Sequence, residues 1–348
     1  MRVMQVMAGG PVGGIETFFY DGVLALAGAG LVQFAVVRPN MPIHLARLRA
    51  AGVPVATADF NSWWRWPTAR VMRRTAAEFR PDIVQYWTGR AASYAVAKDA
   101  IQVGWYGGYR QRKHYRTCTE FLGVTQDMLR HIESQGVAEE HTTLVHNFTE
   151  RRKAAPMARK TFSTPDAVPL LLALARLHWM KGLDTLLDAA AKLPGVYLWI
   201  AGEGPDREKL VAQAAQLGIA DRVRFLGWRE DKDALLAAAD ICVVPSRYES
   251  FGAVLIEAWA ADKPLVAAAA QGPRAYVEDE KNGMLVPMND AEALARAIGR
   301  VIADKGLQQH IVEGGRKSYE ARFTKEVYVR DMLAFYERIL KDRPRKNR

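Results

Sequence analysis

The chain has 348 residues, of which 49% are hydrophobic and 25% are charged, and its formal net charge is +10. This is the composition of an ordinary globular protein and it excludes disordered and fibrous classes. At roughly 100–200 residues per domain, the length predicts two domains with a ligand cleft between them. The positive charge is compatible with nucleic acid, an anionic membrane or a phosphorylated small molecule as partner.

The two cysteines and the absence of long apolar runs bear on the compartment. Cys118 and Cys242 match neither a metal-binding spacing nor a disulfide framework, which favours a reducing environment. No apolar run approaches the ~20 residues that span a bilayer, and Gly9 and Gly10 interrupt the N-terminus too early for a signal peptide. We therefore predict a cytoplasmic protein.

Short β-rich runs alternate with helical patterns along the whole chain, which predicts the α/β class with parallel sheets. In the first half, strands are predicted at 3–7, 34–37, 53–57, 83–86, 102–105 and 143–146, with helices at 15–27 and 125–135. In the second half, strands are predicted at 170–174, 197–201, 223–225, 241–244 and 265–268, with helices at 290–302, 307–321 and 325–340. The basic, proline-ended stretch 150–169 is predicted to be a linker, and 341–348 a basic tail.

The first strand-to-helix turn, residues 9–14, has the sequence GGPVGG. Glycines there, Gly13 and Gly14 among them, allow backbone N–H groups to approach an anion at the helix N-terminus. Pro11 breaks the dinucleotide fingerprint, and Arg38 ends the next strand where an NAD enzyme has an acid. An NADP enzyme and a simple tight turn both remain open.

The corresponding turn of the second half carries two cations. Arg176 and Lys181 follow the strand predicted at 170–174, at its carboxyl end. Two cations on one loop can converge on a diphosphate from two directions. The alternative is a pair of solvated surface charges.

A second candidate segment, residues 245–257, has the sequence PSRYESFGAVLIE. A helix is predicted to start near Gly252, so the N–H groups of Phe251 and Gly252 would face a phosphate. Glu249 lies in the preceding loop, and Glu257 lies inside the helix, where it could accept from two ribose hydroxyls. Glu257 stands among apolar residues, where an unpaired charge would be costly.

One set of residues resembles the donor half of the retaining glycosyltransferases of family 4. The set consists of Arg176, Lys181, the GEGP run at 202–205, the FLG run at 225–227, Glu249 and Glu257. The resemblance covers about residues 170–305. Within the family, the chain resembles the bacterial glycosyltransferases that make lipopolysaccharide and exopolysaccharide. It implies the GT-B fold, with a domain at 1–155, a donor-binding domain at 156–324, and a helix within 325–348 that returns to the first domain. It also implies transfer of a hexose from a UDP- or GDP-linked sugar to a glycan or lipid-linked acceptor, with retention of configuration and without a metal or other cofactor.

Carried over position by position, the resemblance implies that Arg176 and Lys181 bind the diphosphate and stabilise the leaving group. Glu249 would hold the hydroxyls of the donor sugar, and Glu257 the ribose. The remaining donor-binding positions implied by the resemblance are Gly13, Gly14, Gly202, Leu226, Gly227, Ser250, Phe251, Gly252 and Ala253.

The first half departs from the family pattern at a catalytic position. Many members carry a histidine after the fifth strand, where this chain has Tyr106. Arg90, which follows another strand on the side of the cleft, could contact an anionic acceptor or replace the missing group. We include both among the catalytic candidates. A non-catalytic nucleotide-sugar-binding protein and a GT-B epimerase are the alternatives.

Aromatic and basic residues are interleaved at 63–74 (WWRWPTARVMRR) and at 109–116 (YRQRKHYR). Indole rings beside arginines suit a lipid headgroup boundary, which predicts peripheral contact with the cytoplasmic face of the inner membrane. The alternative at 63–74 is a tryptophan cluster packed into the core. Nucleic acid is disfavoured because the basic residues spread over both halves and no recognition motif is present.

Overall fold

The computed structural model describes residues 1–10, 13–40, 42–61, 63–95, 97 and 99–342, and these form two parallel β-sheets of seven and six strands. The sheets lie in two compact units, Met1–Asn147 with the segment from Lys325, and Phe148–Thr324. The first unit thus ends at Asn147 rather than after residue 155. Pro11 and Val12 of the glycine turn and residues 343–348 of the predicted tail lie outside the described residues.

Unit 1 is a parallel sheet flanked by helices, in the order β3-β2-β1-β4-β5-β6-β7. Its strands are β1 Arg2–Met7, β2 Val32–Val37, β3 Val55–Thr57, β4 Ile83–Tyr86, β5 Ile101–Tyr106, β6 Glu120–Gly123 and β7 Thr142–Leu144. Its first helices are α1 Gly14–Gly28, α2 Pro42–Ala50, α3 Arg65–Phe79, α4 Gly89–Ala92 and α5 Gln126–Glu133.

Unit 2 repeats the plan with the order β10-β9-β8-β11-β12-β13. Its strands are β8 Leu170–Leu174, β9 Tyr197–Ala201, β10 Val223–Gly227, β11 Ile241–Val244, β12 Leu265–Ala268 and β13 Met284–Val286. Its helices are α6 Leu183–Ala191, α7 Arg207–Gln216, α8 Lys232–Ala238, α9 Ala253–Ala260, α10 Gln271–Tyr276, α11 Ala291–Ala303 and α12 Lys305–Arg322, and α13 Lys325–Lys341 then returns to unit 1.

The strand orders determine where a ligand is expected. In each sheet the order reverses between two central strands, at β1/β4 in unit 1 and at β8/β11 in unit 2. Ligands of open parallel sheets bind at such switch points, outside the carboxyl ends of the strands. The loops after β8 and β11 are therefore the expected site of unit 2. The predicted α/β class with parallel sheets is confirmed, and each of the two units is doubly wound and Rossmann-like.

Part of the predicted linker at 150–169 is instead packed into unit 2. Arg159 begins a short 3₁₀ helix, and its side chain is only 13% exposed. Its guanidinium donates to the carbonyl oxygens of Ala238 and Val168 and to the carboxylate of Asp240 at 2.8–3.0 Å. The composition of this stretch is typical of a linker, but the Arg159 side chain makes hydrogen bonds within unit 2 instead of facing solvent.

Helix α13 is held to unit 1 by a buried polar network. The Tyr336 hydroxyl donates to Gln85 Oε1 at 2.6 Å and accepts from Gln5 Nε2 at 3.3 Å. Gln5 Oε1 in turn accepts from Trp87 Nε1 at 2.8 Å. All of these side chains are essentially inaccessible to solvent, so their hydrogen bonds must be satisfied internally.

Removal of the Tyr336 hydroxyl is therefore expected to destabilise unit 1. Tyr336→Phe should lower its free energy of unfolding by about 1–2 kcal/mol, because Gln85 loses a buried donor. Tyr106→Phe is the matched control, since its hydroxyl is equally buried and has no hydrogen-bond partner among the described residues. Urea unfolding of both variants measures the difference, and equal losses of stability would contradict the role of the network.

Candidate active site

The loops after β8 and β11 pack directly on each other in unit 2. A short 3₁₀ turn, Trp179–Lys181, ends at Gly182, which has a left-handed backbone with φ 62°. A Cβ at Gly182 would overlap the carbonyl oxygen of Pro245. Glycine is required here both by its φ and by the close approach of the second loop.

This packing brings two predicted site residues into contact. Lys181 Nζ lies 2.6 Å from Glu249 Oε2, with the side chains 27% and 16% exposed. Arg176, on the same loop as Lys181, is exposed and has no side-chain partner among the described residues. The switch point of unit 2 thus presents one cation held by a carboxylate and one cation available to an anionic ligand.

Arg247 joins the two loops, a role that the sequence analysis did not assign. Its guanidinium makes two hydrogen bonds of 2.7 Å to the carboxylate of Asp184 and one of 2.7 Å to the carbonyl oxygen of Trp179. Its backbone N–H donates to the carbonyl of Met180 at 2.8 Å. These contacts fix the backbone on both sides of Lys181. The sequence contains two indications of this link between the loops. They are an acid three residues after Lys181 and an arginine two residues before Glu249.

The Asp184–Arg247 pair predicts a pH dependence of stability. Burial by itself raises the pKa of the Asp184 carboxyl, but the hydrogen bonds and charge of Arg247 outweigh it and hold that pKa below its usual value. A lowered folded-state pKa stabilises the fold above the unfolded value of about 3.9, and this stabilisation is lost as the pH falls through the folded value.

We expect Asp184→Asn to reduce the free energy of unfolding at pH 7 by less than about 1 kcal/mol, because water screens a half-exposed pair. The difference from the wild type should begin to shrink near the unfolded value of about pH 3.9 and vanish only below the lowered folded value, where Asp184 is protonated in both the folded and the unfolded state. Urea unfolding between pH 3 and 7 measures it. A difference that is constant across this range would show that the charge is irrelevant.

Glu257 is paired with a residue that the sequence did not identify. On α9 its carboxylate is 13% exposed and lies 2.6 Å from Lys232 Nζ on α8. The predicted cost of an unpaired charge is therefore avoided by a cation 25 residues away. Lys232 leaves the second carboxylate oxygen, Oε2, for another donor.

Helix α10 packs against the loop before α9 and fixes its backbone. Gly252, with φ 87°, is the N-cap of α9, and Phe251 is buried against Tyr276. The N–H of Gly272 donates to the carbonyl of Glu249 at 2.7 Å. A Cβ at Gly272 would lie 2.6 Å from the carbonyl oxygen of Phe251. Gly272 thus sets the backbone of the predicted phosphate loop, whose Ser250 is half-buried and whose Ala253 is exposed.

The loops after β9 and β10 join the same edge. Gly202, with φ 146°, donates its N–H to the carbonyl of Gly227 at 2.8 Å. A Cβ at Gly202 would overlap the carbonyl oxygen of Ala175, next to Arg176. Half-buried Leu226 precedes Gly227. The structure therefore brings the predicted donor positions of unit 2 to the carboxyl edge of one sheet.

The candidates of unit 1 are placed differently. Arg90 is exposed on α4, with no side-chain partner among the described residues. Tyr106 is fully buried in the core and stacks on Tyr115 with ring centroids 4.7 Å apart. Burial raises the pKa of its hydroxyl far above the usual value. A predicted catalytic role for Tyr106 has no support from this position, because the side chain does not reach solvent.

The glycine turn of unit 1 contains an internal carboxylate. Glu16 Oε1 accepts from the backbone N–H of Gly10 at 2.9 Å. A Cβ at Gly13 would overlap the same carboxylate, whereas one at Gly14 would meet nothing within 4 Å. Glycines at 9 and 13 therefore make room for Glu16.

The described residues contain no cluster of three or more His, Cys, Asp or Glu that could hold a metal ion.

Comparison with known proteins gives concordant results. Residues 157–318 match the family model described as glycosyl transferases group 1. The chain is 33% identical to the lipopolysaccharide core biosynthesis glycosyltransferase LpsE of Rhizobium meliloti (strain 1021) over 91% of this chain and 94% of LpsE. It is 31% identical to LpsD of the same organism, over 97% and 98% of the two chains. The crystal structure of Anabaena Alr3699/HepE in complex with UDP has the same fold, with a TM-score of 0.86 and 22% identity over 97% of this chain and 100% of that one.

Proposed function

The chain belongs to the group 1 glycosyl transferases and has the GT-B fold, and on that premise we propose that it transfers a sugar from a nucleoside diphosphate to the lipopolysaccharide core. The observation that carries this proposal is the Lys181–Glu249 pair beside exposed Arg176 at the switch point of unit 2. The names of LpsE and LpsD support the core saccharide as acceptor. The UDP complex of HepE favours UDP as the carrier.

We assign the charges of the reaction to these side chains. The departing diphosphate gains negative charge, which Arg176 and Lys181 would stabilise without a metal ion. Glu249 would exchange Lys181 for the hydroxyls of the donor sugar, on the side where positive charge develops at the anomeric carbon. Glu257, oriented by Lys232, would accept from the ribose hydroxyls. Retention of the anomeric configuration and a hexose as the transferred sugar follow from the family resemblance and are part of the proposal.

The acceptor is assigned to unit 1. We propose that it is a glycan or lipid-linked saccharide, and that exposed Arg90, at the carboxyl edge of the unit 1 sheet, contacts its anionic groups. Phosphorylated or carboxylated saccharides are the chemistry that a guanidinium selects. The predicted alternative of an epimerase would instead need no acceptor at all.

A thermal-shift screen against nucleotide sugars tests the donor. A ligand at 100 times its Kd raises the free energy of unfolding by about 2.7 kcal/mol, so one UDP- or GDP-sugar should raise the Tm clearly. Transfer to isolated core saccharide then tests the reaction. Binding without transfer or donor hydrolysis would favour a nucleotide-sugar-binding protein, conversion of the sugar alone would favour an epimerase, and no shift with any nucleotide sugar would refute the proposal.

A further inference from the structure

A surface of exposed indoles and guanidiniums on unit 1 has no role in the donor site, and we propose that it docks the protein onto an anionic lipid bilayer. This indole–arginine face consists of Trp63, Trp64, Trp66, Arg70 and Arg73. The three tryptophans are 95%, 66% and 56% exposed. The alternative that they pack into the core is therefore wrong, and their indole rings are accessible to a partner.

The exposure of the tryptophans is not the result of a poorly anchored loop. Phe60, just before them, is fully buried, and its N–H donates to Thr68 Oγ1 at 3.1 Å. The Tyr94 hydroxyl donates to the carbonyl of Asn61. Arg65 donates to the carbonyl of Ser93 at 2.5 Å and lies over the ring of Tyr94, 4.3 Å from its centroid. The backbone on both sides is fixed while the indoles point outward.

Helix α3 continues this face with charge. Its buried residues are Thr68, Met72, Thr75 and Phe79. Trp66, Arg70 and Arg73 are spaced i, i+4 and i+7, share the opposite side and are exposed. Residues 63–74 contain four arginines and no acid. The outer face of α3 therefore combines an indole ring with two guanidiniums, and these are the side chains favoured in the headgroup region of an anionic membrane.

A second basic segment extends the face along the same edge of the sheet. Helix α3 follows β3 and residues 109–116 follow β5, and parallel strands present their carboxyl ends at one edge. Arg110, Lys113 and Arg116 are exposed. A Cβ at Gly89 would lie 2.6 Å from His114 Cβ, so this segment packs against α4, directly before Ser93. The cations of residues 63–74 and 109–116 thus lie on neighbouring segments and form one extended basic surface.

The charge of this face selects its occupant. A second copy of the chain related by a two-fold axis would bring the same cations against themselves. Anionic headgroups complement the guanidiniums, and indole rings are favoured at the membrane interface. No helix among the described residues is long and apolar enough to cross a membrane, so the proposed contact is peripheral.

Sedimentation of the full chain with vesicles tests the proposal without donor or acceptor, so its failure would leave the proposed transferase function untouched. Binding to phosphatidylglycerol vesicles is expected in 0.1 M salt, with little binding to phosphatidylcholine and release in 1 M salt, where the Debye length falls to about 3 Å. Arg70→Gln with Arg73→Gln should lower the partition coefficient by roughly 25-fold, about fivefold for each cation.

The triple variant Trp63→Ala, Trp64→Ala, Trp66→Ala should also lose vesicle binding, whereas Trp228→Ala, a 65% exposed tryptophan of unit 2, should not. Circular dichroism and thermal unfolding confirm that each variant is folded, and brominated lipids should quench wild-type tryptophan fluorescence. Wild-type binding by the triple variant, or equal binding to both lipids, would overturn the proposal. Self-association in sedimentation velocity that the triple variant abolishes would assign the face to a second copy instead.

Discussion

Lys181→Ala is expected to lower kcat/KM for sugar transfer by about 10²–10³-fold, the usual effect of removing one donor that stabilises developing charge. The variant removes a cation from the proposed diphosphate site and leaves the Glu249 carboxylate, 16% exposed, without its partner at 2.6 Å. Both changes oppose an anionic leaving group. Steady-state kinetics with the donor found in the screen measure the effect.

Comparing the binding of nucleoside diphosphate and free nucleoside shows whether Lys181 acts on the diphosphate. Lys181→Ala should weaken the binding of UDP or GDP but leave the binding of the free nucleoside nearly unchanged, because only the diphosphate meets the cation. Lys281→Ala is the matched control, since Lys281 is 73% exposed and pairs with Glu278 at 2.9 Å on the surface of the same unit. Unchanged diphosphate affinity in Lys181→Ala would refute the assignment of this residue.

Gly182→Ala is expected to destabilise unit 2 by about 2–5 kcal/mol, the sum of left-handed strain and overpacking. The added Cβ would overlap the carbonyl oxygen of Pro245, so the loops after β8 and β11 would have to separate. Lys181 and Glu249 lie on these two loops. We therefore expect donor affinity to fall together with stability.

Gly218→Ala separates the two contributions. Gly218 has nearly the same backbone, φ 67° against 62° at Gly182, but a Cβ there would meet nothing within 4 Å. It should lower the free energy of unfolding by only about 1–2 kcal/mol, the strain alone, and leave donor affinity unchanged. Urea unfolding and isothermal titration with the nucleotide measure both quantities. Equal effects of the two substitutions would show that contact between the loops is unimportant.

The sequence by itself determined the fold class and most strands. β8 and β11 are buried on both faces, so they read as continuous apolar runs with clear ends. Glycines and cations that follow such runs then mark the carboxyl edge of a sheet. Two strands, β6 and β13, were not predicted. In β6 only two apolar residues stand between Glu120 and Gly123, so the sequence offers no apolar run there.

Only the tertiary structure decided which side chains meet and which remain exposed. Lys232 neutralises Glu257 from another helix, and Arg247 binds Asp184 across 63 residues. No local pattern encodes such pairs, because they depend on how separate elements pack. The same holds for Tyr106, which is buried, and for Trp63, which is 95% exposed. Both are large amphipathic aromatic residues, and whether each lies in the core or in solvent depends on the neighbours that the fold supplies.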